Sequence, residues 1–117
     1  MNLPHKDPLI FAKKIIEKNE NSATVFCSFD QTPTLAMFLE AAAQSTIAFS
    51  KEEEIKIGFL TSAQNIKLHN KLKQSEYIIQ VKKEIEVANM KKFYFESFEN
   101  LNCTPCVEGF ITIIIKE

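Results

Sequence analysis

"FLEAAAQSTIAF", residues 38–49, places one ionisable side chain, Glu40, in a run otherwise made of apolar and small neutral residues. A carboxylate taken out of water alone is expensive, so a chain that keeps one there pairs it, neutralises it or uses it. Just upstream, "DQTPT" offers a helix start, with Thr32 as N-cap and Pro33 at the first helical position, where its missing N–H is no loss. From there the helix extends to about Phe49, roughly 25 Å at 1.5 Å per residue. Leu35, Met37, Phe38, Leu39, Ala42 and Ile47 sit on different faces of it. A helix that is apolar all round is wrapped on all sides, so the sequence predicts that the rest of the chain encloses this one.

What surrounds it reads as strand. Before the helix, "ATVFCSF" alternates cleanly, with Ala23, Val25, Cys27 and Phe29 on one side. "LIFAKKIIEK" fits a helical period and a short strand equally well, and "NENS" between the two marks a turn. After the solvated "SKEEE", the segments "IKIGFLTS", "NIKLHNKL", "EYIIQVKKEIEVA", "KKFYFESFE" and "VEGFITIIIKE" all have strand character. The last is apolar on both faces, as an interior strand would be. One or two strands, a helix, then four or five antiparallel strands give an α+β class. An antiparallel sheet curled around one long central helix is the economical packing.

The totals allow one domain spanning residues 1–117, with 45% hydrophobic residues supplying a single core. A net charge of −1 gives no global field for nucleic acid, and all 14 basic residues are lysines, which removes the arginine fork used for bidentate phosphate and guanine contacts. No apolar stretch approaches the ~20 residues of a membrane span, and "MNLPHKDPL" lacks a basic-then-apolar leader. A soluble, cytoplasmic protein with no membrane or nucleic-acid partner is the expectation. Three cysteines argue against a secreted disulfide framework. "CTPC", Cys103 to Cys106, falls between two strand-like runs and reads first as a turn around Pro105. A metal there would draw on Cys27, His5 and His69 to complete its ligands, and no metal site is expected.

Two stretches carry a resemblance. "LPHKDPLIFAKKIIE" is similar to the opening, and "LEAAAQS" to the central-helix motif, of the FabZ-type 3-hydroxyacyl-acyl-carrier-protein dehydratases, which have the hotdog fold. Glu40 and Gln44 stand at that family's four-residue separation, and "NIKLHNKL" sits where it has a further motif strand. The chain departs from the pattern before the helix. The glycine-rich loop that holds the family's catalytic histidine is shortened to "QTPTLAM", with no histidine and no glycine. Aryl-polyene-type dehydratases, which also shorten this loop, resemble the chain more closely.

The resemblance implies a dehydratase-like enzyme acting on 3-hydroxyacyl thioesters of an acyl carrier protein or coenzyme A, with no cofactor. It also implies a homodimer or a heterodimer with a hotdog paralogue, the groove lying between chains. Glu40 and His5 are then the catalytic candidates, and Gln44, Thr34 and Met37 the substrate contacts. Dehydration needs a base beside the carbonyl and an acid for the departing hydroxyl. A Glu40 pKa raised by burial would suit the acid, and Gln44, one turn on, would orient it or the thioester carbonyl. The alternative is a Glu40 that ties the helix to its sheet. His5 is either the base or an anchor for the N-terminal segment, whereas His69, among lysines and asparagines, reads as a surface residue. Lys67, Lys71 and Lys73 are candidates for docking an acidic carrier protein. Two other readings stay open: an acyl thioesterase, and a non-catalytic subunit that completes an active paralogue's groove.

Overall fold

The computed structural model describes residues 11–46, 57–100 and 104–116. The ambiguous opening is a strand, β1 (Ala12–Lys18), which turns back onto β2 (Ser22–Ser28). The turn is closed by Asn19, whose side-chain oxygen accepts from the Asn21 and Ser22 N–H groups at 2.9 Å each. A helix, α1 (Leu35–Ser45), is followed by β3 (Ile57–Leu68), β4 (Glu76–Val87), β5 (Met90–Phe98) and β6 (Val107–Lys116). All five strand pairings are antiparallel, and the sheet order is β1-β2-β4-β5-β6-β3. The sheet curls enough for α1 to touch β1, β2, β3, β4 and β6. This is the hotdog arrangement, an α+β fold.

Period-two burial puts one face of the sheet against the helix. Val25 and Cys27 of β2, Ile79 and Val81 of β4, Phe95 of β5 and Ile111 of β6 are sealed there. At the N-terminal end of α1 four rings close the core. Phe38 lies 4.8 Å from Tyr77 and 5.6 Å from Phe29, and Phe29 lies 4.9 Å from Phe11. The Tyr77 hydroxyl accepts from the Lys73 and Gln74 N–H groups at 3.1 Å each, so the ring also fixes the approach to β4.

Three expectations are corrected. The helix starts two residues later than "TP" suggests. Thr34 is the N-cap, its hydroxyl accepting from the Met37 N–H at 3.1 Å, while the Thr34 N–H points to the Met37 sulfur at 3.5 Å. Thr32 instead donates its hydroxyl to the Lys73 carbonyl. At the other end α1 is described to its C-cap, Thr46, so its extension to Phe49 lies outside the described residues.

"IKIGFLTS" and "NIKLHNKL" are one strand, not two. β3 pairs with β6 along its length, and bulges between Leu60 and Ser62 and between Gln64 and Lys67 absorb the surplus residues. At the second bulge Asn65 takes a left-handed φ of 54°, a conformation that asparagine tolerates better than most side chains. The kink swings Ile66 over Gly109 of β6. A methyl group at Gly109 would collide with the Ile66 side chain and press on backbone, 3.1 Å from Ile66 Cα and 3.3 Å from the Asn65 oxygen. Gly109→Ala is therefore expected to lower stability by about 1–3 kcal/mol in urea unfolding, the usual cost of overpacking. An unchanged midpoint would mean that β3 yields freely there.

The third correction concerns the helix surface. Among the described residues α1 is not wrapped on all sides. Phe38, Ala41, Ala42 and Ser45 are buried against the sheet. Ala36 is exposed, Leu35 is 37% exposed, and Leu39, Glu40 and Ala43 are half-buried. Among the described residues one flank of the helix is thus partly open, although Leu39 and Ala43 also pack against the core.

Candidate functional site

Helical geometry places Ala36, Leu39, Glu40 and Ala43 on that partly open flank, with Glu40 at its border and Gln44 one turn further on. Glu40 is half-buried rather than enclosed. Neither Glu40 nor Gln44 is without a partner. The side-chain oxygen of Gln44 accepts two hydrogen bonds from β1, from the N–H of Phe11 at 2.7 Å and of Ala12 at 3.1 Å. Gln44 itself is 5% exposed. Its acceptor oxygen is thus committed to backbone 32 and 33 residues away in the sequence, a link that no local pattern announces.

Thr34 and Met37, one to two turns before Glu40, make the helix cap described above. His5 and Cys103 lie outside the described residues. Ser45 donates to the Ala41 carbonyl at 2.7 Å and lies 3.7 Å from the Cys27 sulfur. Burial pushes the Cys27 thiol up to about 12, so it stays protonated and unreactive. Cys106 is also buried and free, its sulfur directed to the Ser97 carbonyl at 3.4 Å. Among the described residues no group of three or more His, Cys, Asp or Glu side chains is placed to hold a metal ion.

His69 is on the surface, as its polar context suggests, and follows directly after β3. Its Nε2 lies 3.2 Å from one oxygen of Glu108, and the Tyr94 hydroxyl donates to the other at 2.8 Å. These two hydrogen bonds hold the Glu108 carboxyl below its usual range. Burial, the bond to Glu108 and the nearby Glu96 and Glu108 charges all push the Tyr94 phenol up. This cluster belongs to the sheet face turned away from α1, as does a groove of about 520 Å³ lined by Thr24, Gln80, Lys82, Tyr94, Glu96 and Phe110.

Because the folded pKa of Glu108 is depressed, its contribution to stability is present above the unfolded carboxylate pKa. It is lost as pH falls through the folded value. Glu108→Gln should accordingly flatten the dependence of the melting temperature on pH below about 4.5, the group's ordinary value, and leave it unchanged near neutrality. An acid limb identical to that of the wild type would show that the pair is not maintained in solution.

No protein-family model matches the chain, and no curated protein matches its sequence. Solved structures do resemble it. A chain of the dehydratase heterocomplex ApeI:P from Xenorhabdus doucetiae superposes with a TM-score of 0.78 at 15% identity, over 98% of this chain and 88% of that one. A sigma28-regulated virulence protein from Campylobacter jejuni gives 0.69 at 15% identity, over 97% and 90%. A thioesterase from Haemophilus influenzae gives 0.62 at 11% identity, over 89% and 78%. The chain is a hotdog-fold protein. Likeness at such low identity carries the fold alone, while the reaction differs among these relatives. No helix among the described residues is long and apolar enough to cross a membrane.

Proposed function

We propose that this protein binds acyl thioesters along the partly open flank of α1, in a groove completed by a second hotdog chain. There it acts in the dehydration of 3-hydroxyacyl thioesters, with Glu40 as the acid that protonates the departing hydroxyl. The observation that supports this reading is the half-buried position of Glu40, beside Ala36, Leu39 and Ala43 on the partly open flank of the helix. An acyl tail would lie on Leu39 and Ala43, with Met37 and Thr34 toward the rim. The base would be His5 or a residue of the second chain, and no cofactor enters the reaction. A cytoplasmic protein fits such a role.

The second chain is suggested by the sheet's edges. β1 at one edge is guarded by Lys13, Lys14 and Lys18. β3, at the other, runs from Leu60 to Ile66 without a charge, and although two bulges interrupt it, an uncharged edge is the more open of the two to another strand. That partner is a second copy or a paralogue. Lys67 near the end of β3 and Lys71 and Lys73 in the connection to β4 are exposed and suit docking of an acidic carrier protein, a contact that added salt should weaken.

A non-catalytic subunit is the alternative, and one observation favours it. His69 is the only described histidine, and it is bound to Glu108 rather than placed beside Glu40. The similar dehydratase heterocomplex makes pairing of unlike hotdog chains a concrete option.

Binding itself is tested with a non-hydrolysable acyl-pantetheine thioether. It should raise the melting temperature and shift the backbone amides of Leu39, Glu40 and Ala43. Ala36→Arg, at an exposed position of the same flank, should remove both effects without unfolding the free protein. Shifts confined to Thr24, Gln80 and Tyr94 on the opposite sheet face would contradict this placement.

A further inference from the structure

We propose that the sheet face turned away from α1 is an interface at which two copies of this chain pack face to face about a two-fold axis. It is independent of the acyl-thioester reading and of any pairing at the β3 edge. Its basis is the order of residues along that face. On β5, Met90, Lys92, Tyr94 and Glu96 alternate with the buried Phe93, Phe95 and Ser97, so they point away from the helix. Their pairing partners on the neighbouring strands extend each of them into a row across the sheet.

The first row, Val87, Met90 and Ile114, is apolar, with Val87 58% and Met90 37% exposed. The second sets Ile85, 48% exposed, beside Lys92. Tyr94 and Phe110 form the centre of the third, their rings 5.1 Å apart. The fourth is polar, with Gln80, Glu96 and Glu108. The fifth, Phe26 and Ile78 beside the buried Phe98, is apolar again. Both ends of the face are therefore apolar, and the two flanks of Tyr94 on β5 carry opposite charges.

An interface between two copies related by a two-fold axis must be complementary to itself. An axis lying across the strands above Tyr94 reverses the order of the rows in the second copy. Lys92, whose ammonium lies 5.0 Å from the centre of the Phe110 ring, then faces Glu96 of that copy, and Glu96 faces its Lys92. Val87 and Met90 fall over the apolar row that holds Phe26 and Ile78. Ile85 falls over Gln80, and so into the groove of about 520 Å³ that Thr24, Gln80 and Lys82 help to line. Lys82, exposed in the central row, has Glu84 beside it in the bulge between Lys83 and Ile85. It too comes near a carboxylate of the facing copy once the sheets cross at their usual angle of about 30°.

Charge and size select a second copy as the occupant. Lys82 and Lys92 alternate with Glu84, Glu96 and Glu108, so a strongly acidic or strongly basic partner would meet like charge on part of the face. Five rows about 6.7 Å apart, on four strands about 4.8 Å apart, cover roughly 27 Å by 19 Å, or about 500 Å² on each copy. The total of about 1,000 Å² reaches the lower bound for a specific interface.

The test is the particle mass of the full chain in solution, measured by light scattering at one protein concentration across charge variants. Lys92→Glu alone and Glu96→Lys alone each set like charges opposite one another twice, and each should reduce the wild-type mass to about half. Lys92→Glu combined with Glu96→Lys restores opposite pairs and should restore the mass. Val87→Glu, at a position exposed in the single chain, should also halve the mass while circular dichroism shows an intact fold. It carries the comparison if a charge variant fails to fold.

A wild type with the same mass as the folded variants would overturn the proposal. So would a folded double variant that stays at the halved mass, because the face would then dock something other than a second copy. No turnover is measured, so loss of this interface would leave the reading of Glu40 standing, and an inactive Glu40 would leave the interface standing.

Discussion

Phe38→Ala is expected to lower the free energy of unfolding by about 3–5 kcal/mol, the range for deleting a buried phenylalanine ring. Phe38 is fully buried and meets Tyr77 edge-on at 4.8 Å and Phe29 at 5.6 Å, so its removal opens a cavity between the helix and two strands. Neither neighbour is free to collapse into that space. The Tyr77 hydroxyl is tied to the Lys73 and Gln74 backbone, and the Phe29 N–H donates to the Ser75 carbonyl at 2.7 Å. Domains of this size have a total stability of about 5–15 kcal/mol, so the variant should be half-unfolded at much lower urea or fail to accumulate. Phe38→Leu, which keeps most of the apolar volume, should lose less. Equal, small losses in both variants would mean that the ring cluster is not the centre of the core.

Glu40→Gln is expected to act in the opposite way, with a large effect on turnover and a small one on stability. A positioned acid contributes about 10²- to 10⁴-fold to such a step, and a carboxamide of the same shape cannot give up a proton. The half-buried border position of Glu40 leaves room for the neutral side chain, so the melting temperature should change little. Steady-state kinetics on a 3-hydroxyacyl thioester should show the loss in kcat with KM nearly unchanged. A Glu40→Gln protein that keeps full turnover but melts early would return Glu40 to the other reading, a residue that fastens the helix to its sheet.

The elements were legible where one face of a strand meets the core. Alternation in Ala23, Val25 and Cys27 and in Phe93 and Phe95 records the sheet's two faces directly, and the order of elements around a single helix then leaves few packings. Legibility failed where a distant partner decides. Thr32 and Thr34 are both good N-cap residues. The choice between them fell to the Met37 sulfur on one side and the Lys73 carbonyl on the other. β3 reads as two segments, ending at Ser62 and resuming at Asn65, because its bulges are a property of the pairing with β6, not of the local sequence.

For the site, the spacing of Glu40 and Gln44 was readable as a shared helix face, but the Gln44 bonds to Phe11 and Ala12 were not. The partial exposure of the helix flank was hidden for a different reason. Leu39 and Ala43 read the same in sequence whether they are fully enclosed or half-buried at the edge of the core.

The most direct measurement follows enoyl-thioester absorbance and free-thiol release together, with the purified protein given a 3-hydroxyacyl thioester and then its enoyl counterpart. The wild type and Glu40→Gln are compared, each with and without a hotdog paralogue. The proposed function predicts reversible interconversion that needs Glu40 and releases no thiol. Thiol release dependent on Glu40 would identify a thioesterase, and interconversion by the Glu40→Gln protein at the wild-type rate would contradict the site itself.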